Sequence, residues 1–193
     1  MVCKKKIILL AGPTASGKSK LAVHLAKNLN VDIINADSMQ VYKEISVLSS
    51  RPTSNDLNIA KHHLYGFNSV REAFSTGCWL KMTTNKINQL WSKNRTAIIV
   101  GGTGLYFKAL TDGLVKIPNI PINLRKKIRE LHKKIGQKNF FAKLTKLDPL
   151  VKQFLSPSDS HRSMRAYEVK KFTNKSLFLF VNKTKSKFEK KKF

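Results

Sequence analysis

Residues 12–19, Gly12-Pro13-Thr14-Ala15-Ser16-Gly17-Lys18-Ser19, fit the pattern G-x-x-x-x-G-K-[ST] without exception. In this pattern the glycines let the backbone wrap a phosphate, so that successive N–H groups and the positive end of the next helix face it. Lys18 adds a point charge, and Ser19 brings a hydroxyl suited to Mg²⁺. The loop alone does not say which phosphate compound it holds. NTPases with this loop carry an acid at the end of another strand, where it organises metal and water. Here the run Thr96 to Val100 leads into Gly101-Gly102-Thr103-Gly104, which contains no acid. The run Val31 to Asn35 leads into Ala36-Asp37-Ser38-Met39-Gln40-Val41-Tyr42, which sets Asp37 at the carboxyl edge of a sheet, where ligands of such folds bind. Three roles compete for Asp37: general base on an acceptor, outer-shell Mg²⁺ ligand as in small-molecule kinases, or helix N-cap without chemistry.

The elements that position these residues are legible in the hydrophobic pattern. Lys6 to Leu10, Val31 to Asn35 and Thr96 to Val100 are short β-rich runs followed by turn chemistry, as parallel strands are. Leu21, Ala22, Leu25, Ala26 and Leu29 recur at helical spacing between the first two, so the opening reads strand, glycine loop, helix, strand. Trp79, Thr83, Ile87, Leu90 and Trp91 mark a helix before the third strand. The alternation predicts an α/β fold, a P-loop NTPase-like parallel sheet flanked by helices, with a small helical insertion.

From about Pro118 the pattern turns helical, with Leu124, Ile128, Leu131 and Ile135 on one stripe and Phe140, Phe141, Leu144 and Leu147 on another. Ser158 or Asp159 can cap a further helix running to about Phe172, and Leu177 to Val181 reads as a strand. The predicted organisation is a core over 1–113, a basic helical insertion over 114–172, and over 173–193 a strand returning to the core with a lysine-rich tail. The tail from Lys183 to Phe193 is expected to be a frayed, solvated end in preference to a phosphate contact.

Composition narrows the class of partner. Thirty-seven Lys and Arg against eleven Asp and Glu give a net charge of +26, a field that concentrates polyanions and points to nucleic acid. No apolar run approaches the roughly 18–20 residues of a membrane span, so no membrane partner is expected. Lys6 and its basic neighbours lead into Ile7 to Ala11, but that run breaks at Gly12-Pro13 without a cleavage site; it is a buried strand, and a cytoplasmic location is expected. Cys3 and Cys78 lack metal or redox spacing and are expected to be reduced bystanders.

Six stretches in order carry a family resemblance: residues 12–19; Asp37-Ser38-Met39-Gln40-Val41-Tyr42-Lys43; Arg51-Pro52-Thr53; His62-His63-Leu64; Gly101-Gly102-Thr103-Gly104-Leu105-Tyr106; and Arg162-Ser163-Met164-Arg165-Ala166-Tyr167-Glu168-Val169. Together they resemble the tRNA dimethylallyltransferase (IPP transferase) family over about Lys6 to Phe172. The resemblance implies that the loop grips the diphosphate of dimethylallyl diphosphate, and that Asp37 is the general base on N6 of the adenosine 3′-adjacent to the anticodon. It also implies that Lys18 and Thr14, with Ser19 and Mg²⁺, stabilise the departing diphosphate, while Ser38, Met39 and Gln40 line the approach of a flipped base. Thr103, Arg125, His161, Arg162, Ser163, Met164 and Arg165 then match positions that touch the tRNA anticodon stem-loop. On the residues alone, Thr103 is equally an N-cap, and Arg162 and Arg165 a solvated basic face or, three apart, a phosphate clamp. A monomer is expected.

Two departures stand out. Where relatives have Gly-Thr-Ala-Lys-Pro, this chain has Leu48-Ser49-Ser50-Arg51-Pro52. Relatives also continue past this length, through helices that complete the substrate tunnel, so the chain is expected to be either a fragment or a shortened homologue. The competing readings are a small-molecule or nucleotide kinase, a noncatalytic tRNA-binding remnant, and an enzyme prenylating free AMP.

Overall fold

The structure is a computed structural model that describes residues 5–29, 31–181, 186–189 and 192–193. Cys3 and part of the lysine-rich tail lie outside the described residues. The chain divides into two compact units, Met1–Leu114 with Lys185–Phe193, and Val115–Thr184.

The first unit runs β1 (Ile7–Ala11), α1 (Lys18–Leu29), β2 (Asp32–Asn35), α2 (Ser54–Ile59), β3 (His62–His63), α3 (Thr76–Ser92), β4 (Ala97–Gly101) and α4 (Gly104–Thr111). The sheet is parallel throughout, in the order β1-β4-β2-β3. The apolar residues of β1, β2 and β4 run consecutively because helices cover both faces of the sheet. Successive residues alternate: Ile34 and Ile99 pack with Trp79, Ile87 and Leu110 on one face, and Ile33 and Ile98 with Ala22 and Ala26 on the other. The predicted stripe on α1 is narrower than its period suggests, since Ala22 and Ala26 are buried whereas Leu21 and Leu29 are exposed. The two-residue β3, which hydrophobic periodicity cannot reveal, is tied to β2 by His63 Nε2 at 2.7 Å from the buried Asp32 carboxylate. Burial pulls the His63 pKa below its ordinary value against the opposing pull of that carboxylate.

In the second unit, α5 (Ile122–Leu147) is two helices joined at a kink, where Gly136 takes φ 74° and ψ 164°. That backbone conformation is open to glycine and strained for other residues, which is why the apolar stripe breaks there into two. Short α6 (Val151–Phe154) precedes α7 (Ser160–Thr173), whose N-cap Asp159 accepts from Arg162 N as its sequence position suggests. Phe140, Leu144, Val151, Ala166 and Tyr167 form the core of this unit.

The predicted return strand is corrected: Leu177–Val181 is a helix, α8. A five-residue apolar run carries no period able to separate strand from helix, and here Ser176 starts a turn while Phe178 stacks on Phe154 with ring centroids 4.5 Å apart. The expected frayed tail is also corrected for its described part. Phe188 is buried edge-on against Trp91 at 5.3 Å, and Ser186 donates to Leu110 O, because aromatic residues interrupt the lysines. No helix among the described residues is long and apolar enough to cross a membrane.

Strand β4 ends under the chain that leaves β2. A Cβ on Gly101 would lie 2.2 Å from the carbonyl carbon and oxygen of Ala36 and 2.7 Å from Asp37 N, all backbone atoms. Gly101→Ala should therefore destabilise the protein by about 3 kcal/mol or prevent folding, while Gly102→Ala, whose nearest neighbour is Gly12 O at 3.5 Å, should cost under about 1 kcal/mol. Urea denaturation followed by circular dichroism measures both.

Candidate active site

The loop between β1 and α1 holds its shape with positive φ at Ala15 (63°) and Gly17 (79°). The alanine is the strained member, since an L-residue with a Cβ disfavours that region. Lys18, first residue of α1, folds back over the loop, donating to Pro13 O and to Ser16 Oγ. Its ammonium therefore already sits over the curve of the loop, and a bound anion would draw it away from these two partners. Thr14 and Ser19 are exposed beside it.

Asp37 is positioned by the buried Asn35 at the end of β2. The Asn35 side chain accepts from Asp37 N at 2.8 Å and donates to Asp37 O at 2.9 Å and to Leu64 O at 3.0 Å. The Asn35 carbonyl in turn accepts from Trp79 Nε1 at 2.7 Å, and the Trp79 ring stacks on Tyr106 at 4.3 Å. Asp37 Oδ1 accepts from Met39 N at 2.8 Å in a tight turn, and Oδ2 accepts no hydrogen bond among the described residues. The segment 38–41 is turn and no helix begins there, so Asp37 is not a helix N-cap.

Thr103 stands at the N-cap position of α4 but makes no side-chain cap bond. Its hydroxyl accepts from Ser38 N at 2.9 Å and lies 3.3 Å from Ser38 Oγ, fixing the turn that follows Asp37. Gln40 donates to Ser49 O at 2.7 Å and Ser50 O at 3.1 Å, which ties down the divergent 48–52 segment.

These elements enclose a cavity of about 530 Å³ lined by Thr14, Ser16, Lys18, Ser19, Asp37, Met39 and Gln40, with Tyr65 on its wall. Gly12 and Pro13 form the base of the loop without lining it, and Ser38 is turned toward Thr103. Burial, reinforced by the Asp37 and Asp56 carboxylates, pushes the Tyr65 phenol far above its ordinary pKa, so it stays a neutral hydrogen-bond donor. Sequence reasoning missed Tyr65 and Asn35; an amide at the end of an otherwise apolar strand was the available signal for the second.

The remaining predicted residues belong to the second unit. Arg125, His161, Met164 and Arg165 line a cavity of about 600 Å³ together with Arg129, His132 and Glu168. Arg162 does not join them: it is exposed and pairs with Asp159 at 3.5 Å. Ser163 is fully buried, donating to Asp159 O at 2.6 Å and accepting from Gln137 at 3.3 Å. On α7, Arg165 thus pairs with Glu168 and lines this cavity, while Arg162 pairs with Asp159.

Comparison with known proteins places this arrangement. The family model for IPP transferase matches residues 40–193. The tRNA dimethylallyltransferase of Pelagibacter ubique (strain HTCC1062) is 54% identical over 185 residues, covering 96% of this chain and 59% of the relative. That of Rickettsia massiliae (strain Mtu5) is 47% identical over 177 residues, covering 92% and 49%. The chain therefore spans about half the length of these curated relatives. Among solved structures, a eukaryotic dimethylallyltransferase acting on tRNA superimposes with a TM-score of 0.79 at 27% identity, over 93% of this chain and 45% of that one. The tRNA isopentenylpyrophosphate transferase of Bacillus halodurans gives a TM-score of 0.58 at 32% identity, over 88% and 56%. The P-loop, the turn that carries Asp37 and the family match over four fifths of the sequence agree, and the chain belongs to the IPP transferase family.

Proposed function

We propose that this chain carries the catalytic site of a tRNA dimethylallyltransferase, moving the dimethylallyl group of dimethylallyl diphosphate to N6 of the adenosine 3′-adjacent to the anticodon and releasing diphosphate. The observation that carries the reading is that the phosphate loop and the Asp37 carboxylate line one cavity. A kinase would set Asp37 on Mg²⁺ with ATP in the loop; the end of β4, Gly101-Gly102-Thr103, adds no second acid, and the match to the IPP transferase family does not favour that reading. The basic cavity of the second unit favours a polynucleotide acceptor over free AMP.

The N6 lone pair of adenine is delocalised into the ring and is a poor nucleophile, so the amine needs a base and the leaving group needs a stabilised anion. Asp37 Oδ2 is the base: it takes the N6 proton as nitrogen bonds to C1 of the dimethylallyl group. The C1–O bond breaks and its electron pair leaves on the diphosphate, which the loop N–H groups, Thr14 and the Lys18 ammonium hold. A base stacked in the anticodon loop hides its amine, so the adenosine must flip out to enter, along Met39 and Gln40.

Mg²⁺ suits this cavity by donor type, because Ser19 and Asp37 bring hard oxygens to it. Ser19 would hold the ion together with the substrate's own phosphate oxygens. Bound there, it neutralises part of the charge on the diphosphate.

Two measurements on this chain test the assignment. Lys18→Ala should weaken dimethylallyl diphosphate binding by at least about tenfold, roughly 1.4 kcal/mol, in isothermal titration; unchanged affinity removes the loop from the site. Asp37→Asn keeps the shape and loses the proton acceptor. Its single-turnover transfer rate should fall by about 10²–10⁴, with diphosphate and tRNA affinities nearly unchanged. Recovery of that rate by added Mg²⁺ would instead make Asp37 a metal organiser.

A further inference from the structure

Helix α7 buries a carboxylate beside a cavity lined mainly by basic residues. The Glu168 side chain is 4% exposed, with neighbours on α7, Ala166, Tyr167 and Val169, that are also buried. Its Oε2 accepts from Arg165 Nη1 at 3.1 Å, and its Oε1 lies 3.7 Å from Arg125 Nε on α5. Both arginines remain about 40% exposed and line the cavity, Arg165 held by that hydrogen bond and Arg125, whose buried Nε makes no hydrogen bond among the described residues, by charge across 3.7 Å. Arg129, His132 and His161 share that cavity. His132 is itself fixed. Gln137 donates to Pro157 O and Ser163 Oγ, so its Oε1 faces His132 Nε2 at 2.9 Å, and the ring packs edge-on against Phe140 at 5.0 Å. Counting both histidines as neutral, three guanidinium groups against one carboxylate leave the cavity at +2.

A carboxylate here opposes any polyanion by its charge. Its burial and its two arginine partners give it a different role, because free arginine side chains lose considerable rotamer entropy on binding a phosphate, and a pre-placed guanidinium fork loses less. We propose that Glu168 is a positioning residue, which holds Arg125 and Arg165 as a rigid pair and, with Arg129 and His132, makes the cavity a seat for one RNA backbone phosphate. The proposal rests on the reading that tRNA is the acceptor.

Charge and placement predict opposite signs for one substitution. Glu168→Gln removes a negative charge, so a field effect alone tightens RNA binding. Loss of placement weakens it, by about tenfold, and flattens the slope of log affinity against log salt by about one to two units. Anisotropy of a labelled anticodon stem-loop RNA binding to the 193-residue chain, across a salt series, reads both. Arg125→Lys with Arg165→Lys keeps the charge and loses the fork. On that background Glu168→Gln should add little, whereas a merely structural role for Glu168 would still cost affinity there.

Far-UV circular dichroism and a urea melt of the helical second unit, which holds Glu168, check that each variant is folded. Should Glu168→Gln fail that check, Glu168→Asp takes its place: it keeps the charge, withdraws the carboxylate by one methylene, and should also weaken binding. Equal or tighter binding by a folded Glu168 variant, or full additivity with the lysine pair, overturns the proposal while leaving the tRNA reading intact. Failure of the parent chain to bind the RNA at all overturns both.

Discussion

The site depends on one close backbone approach at the carboxyl edge of the sheet. Ala36, leaving β2, crosses Gly101 at the end of β4 so closely that a single methyl group would overlap its carbonyl. Around this crossing Ala36 N donates to Val100 O at 2.7 Å, and Thr103 N donates to Ala36 O at 3.1 Å. Asn35 and Thr103 then bond the backbone on either side of Asp37. The carboxylate is therefore placed by main chain and buried amide, with little freedom left to its own side chain. Because β4 also pairs with β1 in register from Ile7↔Ala97 to Ala11↔Gly101, the same strand fixes where the phosphate loop begins. One strand thus positions both Asp37 and the phosphate loop, to which the proposed transfer assigns removal of the N6 proton and departure of the diphosphate.

The two halves differ in how far they are prepared. Asp37 has one oxygen committed to a turn and one open. Lys18 is engaged with its own loop, so anion binding exchanges one set of polar contacts for a stronger, charge-assisted set. Trp79 and Tyr106 form an apolar floor beneath Asn35, and burial pushes the Tyr106 phenol up to about 12, aided by Tyr42 and Asp37. This floor adds no charged group beneath Asn35.

What the sequence disclosed, it disclosed through local chemistry. The phosphate loop follows from eight consecutive residues, the three longer strands from apolar runs buried on both faces, and the α7 cap from Asp159. What it hid depends on pairs distant in the chain. Asn35 reaches Leu64, Thr103 reaches Ser38, and Glu168 reaches Arg125, contacts that no local period encodes. The arginines of α7 looked equivalent at a spacing of three, yet Asp159 takes one and Glu168 the other. The 177–181 run failed as a strand because its five apolar residues are equally served by a short helix packed on Phe154.

The central claim is that an alkyl diphosphate and an RNA adenosine meet between this loop and Asp37. Mass spectrometry of an anticodon stem-loop incubated with the chain, Mg²⁺ and dimethylallyl diphosphate tests it most directly. The account predicts one dimethylallyl group replacing one hydrogen on the adenosine 3′ to the anticodon, with an equal amount of diphosphate released and no requirement for ATP. An unmodified adenosine beside RNA that is bound, or phosphate transfer that consumes ATP, would contradict it.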